Sequence, residues 1–207
     1  MREGESDGHH WDTRRHAAEP FPGRKRHIAV VDRVSFGEAD LIDAARSGDD
    51  VAFDSLVGPL IEPAFKLAVV FLRDPAEAED AVQEACFKAW KNLRQLRPEA
   101  SMRPWFLSIV ANQARSTRRA RWWSVIRMGS MPEAGHSPDD RLDSNLDLDR
   151  ELAKLPPTDR AALFLSFYLD LPLSEVGRIL KISPQAAKSR VHRAVTRLRL
   201  NMVEVTS

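Results

Sequence analysis

The chain has 207 residues, 43% of them hydrophobic and 29% charged, with a formal net charge of +1, which leaves room for two small domains with real cores. One cysteine, Cys86, excludes an intramolecular disulfide and argues against a Cys-based zinc site. No apolar leader is read at the N-terminus, and the longest apolar run, residues 67–72, falls far short of the ~20 residues that cross a bilayer, so a cytoplasmic location without a membrane segment is expected.

The near-neutral balance averages segments of opposite sign. Residues 100–132 hold six arginines (Arg103, Arg115, Arg118, Arg119, Arg121, Arg127) and no acid. Residues 181–203 hold six Lys/Arg and again no acid, while residues 139–151 carry six acids against two arginines. Two basic islands around an acidic one point to two polyanion-binding surfaces; the plainer reading is solvated helix faces.

In chain order, residues 1–36 are rich in Gly, His, Arg, Asp and Pro without helical period and read as a flexible tail. His9, His10 and His16 lack carboxylate or thiol companions at ligand spacing, so no metal or cofactor is expected. Residues 38–46 read as a short helix stopped at Ser47-Gly48, with Asp49 or Asp50 capping the next. That helix carries apolar residues at three- and four-residue steps from Ala52 to Val69, with a kink or break expected at Pro59 and Pro63. Asp74 caps a further helix with Pro75 at its first position, acids in its first turns, and an Ala78–Trp90 apolar stripe. A loop over residues 97–101 leads to a helix from Met102 or Arg103 that buries Phe106, Ile109, Val110 and Ala114. Periodicity stops at Trp122, and residues 122–147 read as a flexible linker. Leu148, Leu152 and Leu155 open a second helical unit, broken at Pro156-Pro157 and resumed behind a Thr158 cap.

The most informative stretch is residues 173–200. Leu173, Val176, Ile179 and Leu180 form one apolar face, Ser183-Pro184 caps and starts a second helix, and so short a turn forces a steep crossing: a helix-turn-helix. On the second helix Ala187, Val191, Ala194 and Leu198 share one stripe. Gln185, Lys188, Ser189, His192, Arg193, Thr196 and Arg199 fall opposite, with Arg190 and Arg197 flanking. Solvated helices usually mix both signs. A face of donors without a carboxylate suits a DNA major groove, where Arg, Lys and Gln reach base edges and flanking cations meet phosphates.

These residues carry a resemblance. The run from Leu173 to Leu180 followed by Lys188-Ser-Arg-Val-His-Arg-Ala194 resembles the C-terminal domain of bacterial sigma factors. Leu41-Ile-Asp-Ala-Ala-Arg46, Asp80-Ala-Val-Gln-Glu84, Phe87-Lys-Ala-Trp90 and the stretch from Arg103-Pro-Trp-Phe to Asn112 resemble the conserved domain of the same family that binds polymerase core and melted promoter. With two domains and a linker, the chain resembles an extracytoplasmic-function (ECF) sigma factor. The resemblance implies an all-α fold of two small helical domains joined by a flexible linker, the C-terminal one a helix-turn-helix. Its implied parts are a tail (1–36), a region 2 domain (37–121), a linker (122–147) and a region 4 domain (148–207).

The resemblance also implies a division of labour without enzymatic chemistry. Asp80, Gln83, Glu84, Lys88 and Asn92 would meet a coiled coil of the largest polymerase subunit, with the flap of the second-largest subunit as a further contact. Arg97, Glu99, Ser101, Asn112, Arg115, Arg118 and Arg119 would hold the downstream (−10) promoter element, including a flipped base. Gln185, Lys188, Ser189, Arg190, His192, Arg193 and Arg197 would hold the upstream (−35) element. Gln185-Ala186-Ala187 stands where many relatives have Gly-Thr-Val, which puts the upstream preference in doubt. An anti-sigma factor is an implied partner. The rival reading is a helix-turn-helix regulator that never joins polymerase; the Asp80–Glu84 motif speaks against it.

Overall fold

The computed structural model describes residues 37–97, 100–128 and 146–205, which form helices and short connections; no strand occurs among them. The N-terminal half comprises α1 (Glu38–Arg46), α2 (Asp50–Val57), α3 (Ile61–Leu72), α4 (Pro75–Asn92) and α5 (Met102–Met128). The C-terminal half comprises α6 (Leu146–Lys154), α7 (Pro157–Leu163), α8 (Leu173–Leu180) and α9 (Pro184–Val205). The expected tail and residues 129–145 lie outside the described residues.

Local chemistry sets the boundaries. Asp49 caps α2, accepting from the amides of Val51 and Ala52 at 2.9 and 3.1 Å. The two prolines act as the sequence predicts: α2 stops at Val57, a 3-10 turn spans Gly58–Leu60, and α3 takes Pro63 in its first turn, where no intrahelical amide is needed. Asp74 accepts from the Glu77 amide at 3.0 Å and Pro75 fills the first position of α4. In α7, Pro157 rather than Thr158 opens the helix, because proline's fixed φ suits that position, and Thr158 lies within the first turn. A π-helical segment, Phe164–Tyr168, then shifts the register before α8.

Helix α5 departs most from expectation. It runs to Met128, seven residues past the point where apolar periodicity ends, so Trp122 is helical rather than the first residue of a linker. Its buried face is also wider than one stripe. Phe106, Leu107, Val110, Ala111 and Ala114 are all fully buried, because the helix is covered twice, by α3 and α4 on one side and α8 on the other. One continuous core joins Phe71, Leu107 and Val110 of the N-terminal half to Ala161, Leu165, Val176 and Ile179 of the C-terminal half. A smaller cluster of Leu155, Leu163 and Ala194 belongs to the C-terminal half alone. The two helical halves therefore meet along a seam with a shared apolar core.

Candidate nucleic-acid interface

The helix-turn-helix is built by two close approaches. Lys181 takes the left-handed conformation at φ 56° and ends α8, and the Ile182 amide returns to the Gly177 carbonyl at 2.9 Å. The same approach demands glycine at 177: a Cβ there would lie 2.8 Å from the Ile182 carbonyl oxygen. Ser183 then caps α9, its Oγ accepting from the Ala186 amide at 3.1 Å.

The phase of α9 follows the sequence reading. Ala187 and Ala194 are fully buried, and Val191 and Leu198 half-buried, against the rest of the C-terminal half. Gln185, Lys188, Ser189, His192, Arg193 and Arg197 are exposed. Ser189 Oγ donates to the Gln185 carbonyl at 3.0 Å, which leaves its oxygen able to accept from outside. Arg190 differs from these neighbours. It pairs with the buried carboxylate of Asp159 at 2.8 Å, so its guanidinium ties α9 to α7 rather than standing on the exposed face.

The arginine stripe of α5 is divided. Arg119 is exposed and Arg118 half-exposed. Arg115 turns inward: it donates to Asn112 Oδ1 at 3.0 Å and to the Leu180 carbonyl at the end of α8 at 3.2 Å, and it sits over the Phe71 ring with 5.6 Å to the centroid. Burial first, then the positive charges of Arg118 and Arg190, lower its pKa. Its Nε has no partner in this arrangement. Asn112 is half-buried beside it. Of the loop candidates, Arg97 is exposed, Glu99 lies outside the described residues, and Ser101 Oγ donates to Glu38 Oε1 at 3.3 Å. Trp122 and Trp123 are both more than half exposed, whereas Trp105 and Trp90 pack on the core, Trp90 edge-on to Phe53 at 5.0 Å.

On α4, Asp80, Gln83 and Glu84 share one exposed face. Lys88 and Asn92 turn toward α5. Lys88 bridges Glu84 at 3.2 Å and Gln113 at 2.5 Å, and Asn92 donates to the Lys88 carbonyl at 2.8 Å. With Gln95, Trp105, Asn112 and Gln113 they line an open groove of about 440 Å³. The structure thus brings Lys88 and Asn92 together with Asn112, and leaves Asp80, Gln83 and Glu84 on an exposed acidic-polar face that the Lys88–Glu84 ion pair joins to that groove. Gln95 and Gln113 escape the sequence reading because neither stands in a charged or aromatic motif.

Arg160 is the clearest omission. This 8% exposed guanidinium donates from Nε to the Val70 carbonyl at 2.7 Å and from Nη1 to the Leu152 and Ala153 carbonyls at 3.2 and 3.3 Å. Its signal was a lone arginine heading the apolar run of residues 161–165. Cys86 is half-buried, and desolvation, with the nearby Asp54 charge, pushes its thiol up to about 11, so it is no ready nucleophile. Among the described residues, no group of three or more His, Cys, Asp or Glu is placed to hold a metal.

Comparison with known proteins adds a frame to this geometry. Residues 56–124 match the family described as Sigma-70 region 2, and residues 145–198 match Sigma-70, region 4. The chain is 31% identical over 149 residues to the ECF RNA polymerase sigma factor SigL of Mycobacterium tuberculosis, covering 68% of this chain and 83% of that one. It is 25% identical to the ECF sigma factor SigW of Bacillus subtilis, covering 76% of this chain and 92% of that one. Among solved structures, the sigma factor RpoE of Bartonella quintana, in complex with the anti-sigma factor NepR, superposes with a TM-score of 0.62 at 25% identity, covering 72% of this chain and 96% of that one. CnrH in complex with the cytosolic domain of CnrY has the same fold, with a TM-score of 0.61 at 23% identity over 82% of this chain and 99% of that one.

Proposed function

The chain belongs to the sigma-70 family in its ECF branch, whose members regulate transcription initiation, and from that premise we propose that it is a cytoplasmic, non-enzymatic specificity subunit that binds RNA polymerase core and grips a promoter at two elements. The observation that carries the reading is the pairing, in one chain, of the exposed acid-free face of α9 with the exposed Asp80, Gln83 and Glu84 face of α4.

Each face suits a different partner. The α4 face presents acceptors to a coiled coil of the core, with Lys88 tying its end to α5 through Gln113 and Asn92 beside it. Gln185, Lys188, Ser189 and Arg193 reach upstream bases, with His192 and Arg197 on the flanking backbone. Arg190 acts through Asp159, fixing the rotation of α9 about its axis. Downstream, Arg97, Glu99 and Ser101 with Asn112, Arg118 and Arg119 take the separated strand, and Arg115 joins them once released from α8.

That release follows from length. Elements named −35 and −10 lie about 85 Å apart at ~3.4 Å per base pair. Helix α9, with 22 residues, is only about 33 Å long at ~1.5 Å per residue, and α8 rests on α5 in the present arrangement. The seam therefore opens when both elements are held. The solved neighbour RpoE is a sigma factor held by the anti-sigma factor NepR, which supports a protein inhibitor of this chain as well.

The test is run-off transcription with purified core on promoters selected by the holoenzyme from a random DNA pool. Promoter-specific transcripts that depend on this chain are expected. Sequence-specific DNA binding by the chain alone, with no transcript from any selected promoter, would make it a conventional regulator instead.

A further inference from the structure

A second cation cluster shares Arg118 with the proposed downstream grip and is otherwise separate from both DNA grips. A cleft of about 190 Å³ opens on the seam, where the end of α3 and the middle of α5 meet α6 and α7. Four guanidinium groups line it, from Arg73, Arg118, Arg121 and Arg160, beside the apolar side chains of Phe71 and Leu155. Arg121 is paired with Glu77 at 3.0 Å. No carboxylate among the described residues pairs with Arg73 or Arg118. Four guanidinium charges against the one carboxylate leave an excess of three positive charges.

This excess is not a loose surface feature. Arg73 is fixed in the left-handed conformation, φ 58°, as the cap of α3. Arg160 is buried, and its bonds to the Val70, Leu152 and Ala153 carbonyls use Nε and Nη1 but not Nη2. Desolvation first, then the charges of Arg73 and Arg118, hold its pKa down at about 10, so these groups repel one another across the cleft. Carbonyl acceptors alone do not neutralise such a set; an oxyanion does. Guanidinium forks match phosphoryl oxygens in bidentate geometry.

From this geometry we propose that the seam cleft binds a small anion bearing two linked phosphoryl groups, of which inorganic pyrophosphate is the simplest. The charge excess is more than one phosphate dianion neutralises. The volume lies below the ~300–1,000 Å³ of pockets that enclose drug-sized ligands, so the cleft admits the phosphoryl groups and not an attached nucleoside. Arg73, Arg118 and Arg121 come from the N-terminal half and Arg160 from the C-terminal half, so the complete site exists only with the seam closed. By linkage, the anion stabilises the closed arrangement and withholds Arg118 from a nucleic-acid backbone.

The test is calorimetric titration of the full chain with sodium pyrophosphate at fixed ionic strength, with sodium chloride, sodium sulfate and a single-stranded oligonucleotide as parallel titrants, and thermal unfolding under each condition. Saturable one-site pyrophosphate binding with a rise in Tm is expected, and sulfate binds more weakly. Arg73→Asn, which tolerates the left-handed backbone and so keeps the fold, weakens pyrophosphate binding tenfold or more. Arg73→Lys, which keeps the charge but not the fork, loses less. A pyrophosphate response no different from chloride at equal ionic strength, or one undiminished in Arg73→Asn, overturns the proposal as general screening. Arg73-dependent binding of the oligonucleotide without pyrophosphate binding also overturns it, assigning the cleft to a nucleic-acid backbone.

Discussion

Helices α5 and α9 carry the same signature in sequence, arginines at helical spacing with no acid among them, yet the fold treats them differently. On α9 the basic stripe faces solvent, and only Arg190 turns in, onto Asp159. On α5 the stripe starts inside: Arg115 caps the end of α8 through the Leu180 carbonyl, Arg118 is half-buried, and exposure begins only at Arg119. The difference lies in what each helix packs against. The docked face of α9 is narrow and served by small residues, Ala187 and Ala194. Helix α5 is apolar on two sides, so a second helix covers it and the long arginine stem is drawn along the seam. A basic stripe is thus either a reading face or a clasp, and the apolar pattern beside it decides which.

Substitutions sharpen that comparison, beginning with the largest effect. Asp159→Ala leaves Arg190 without its partner at a partly buried site, and should cost about 3–5 kcal/mol in urea unfolding. A cost below ~1 kcal/mol would place Arg190 with the DNA-reading group after all. Arg115→Ala orphans the Leu180 carbonyl and strips the Phe71 ring, for a loss of about 1–3 kcal/mol of stability. If instead it leaves stability unchanged and only weakens promoter binding, α5 carries no clasp. Arg193→Ala should show the opposite pattern, with upstream affinity falling by about 1–3 kcal/mol at one base position and stability within ±0.5 kcal/mol. Uniform weakening over all sequences would make Arg193 a phosphate contact. Arg119→Ala, at an exposed position, should change stability by less than ~0.5 kcal/mol while reducing the salt dependence of DNA binding.

The sequence was most legible where chemistry is local. The caps Asp49, Asp74 and Ser183, the break at Pro59, the all-α class and the α9 phase all follow from neighbours within one or two turns. What it hid depends on distant partners. Leu107 and Ala111 hold the missing signal: with Val110 and Ala114 they make α5 apolar over more than one stripe, which needs a second covering helix. The inward turn of Arg115 and Arg190 could not be read, because the Leu180 carbonyl lies 65 residues from Arg115 and the Asp159 carboxylate 31 residues from Arg190. Helix α5 outran its own periodicity where Trp122 and Trp123 stand exposed, so the buried stripe no longer marks it.

The seam joins these strands of the account, since the proposed function needs it closed in the free chain and open on a promoter. The direct measurement is the distance between spin labels at Glu62→Cys on α3 and Phe167→Cys in the π-helical segment, which flank the Lys66–Tyr168 hydrogen bond across the seam, in a Cys86→Ala background, taken free and in the promoter-bound holoenzyme. A single short distance in the free chain that lengthens by tens of ångströms on the promoter is predicted. An unchanged short distance in the transcribing complex would contradict the account, because one closed body cannot hold both elements.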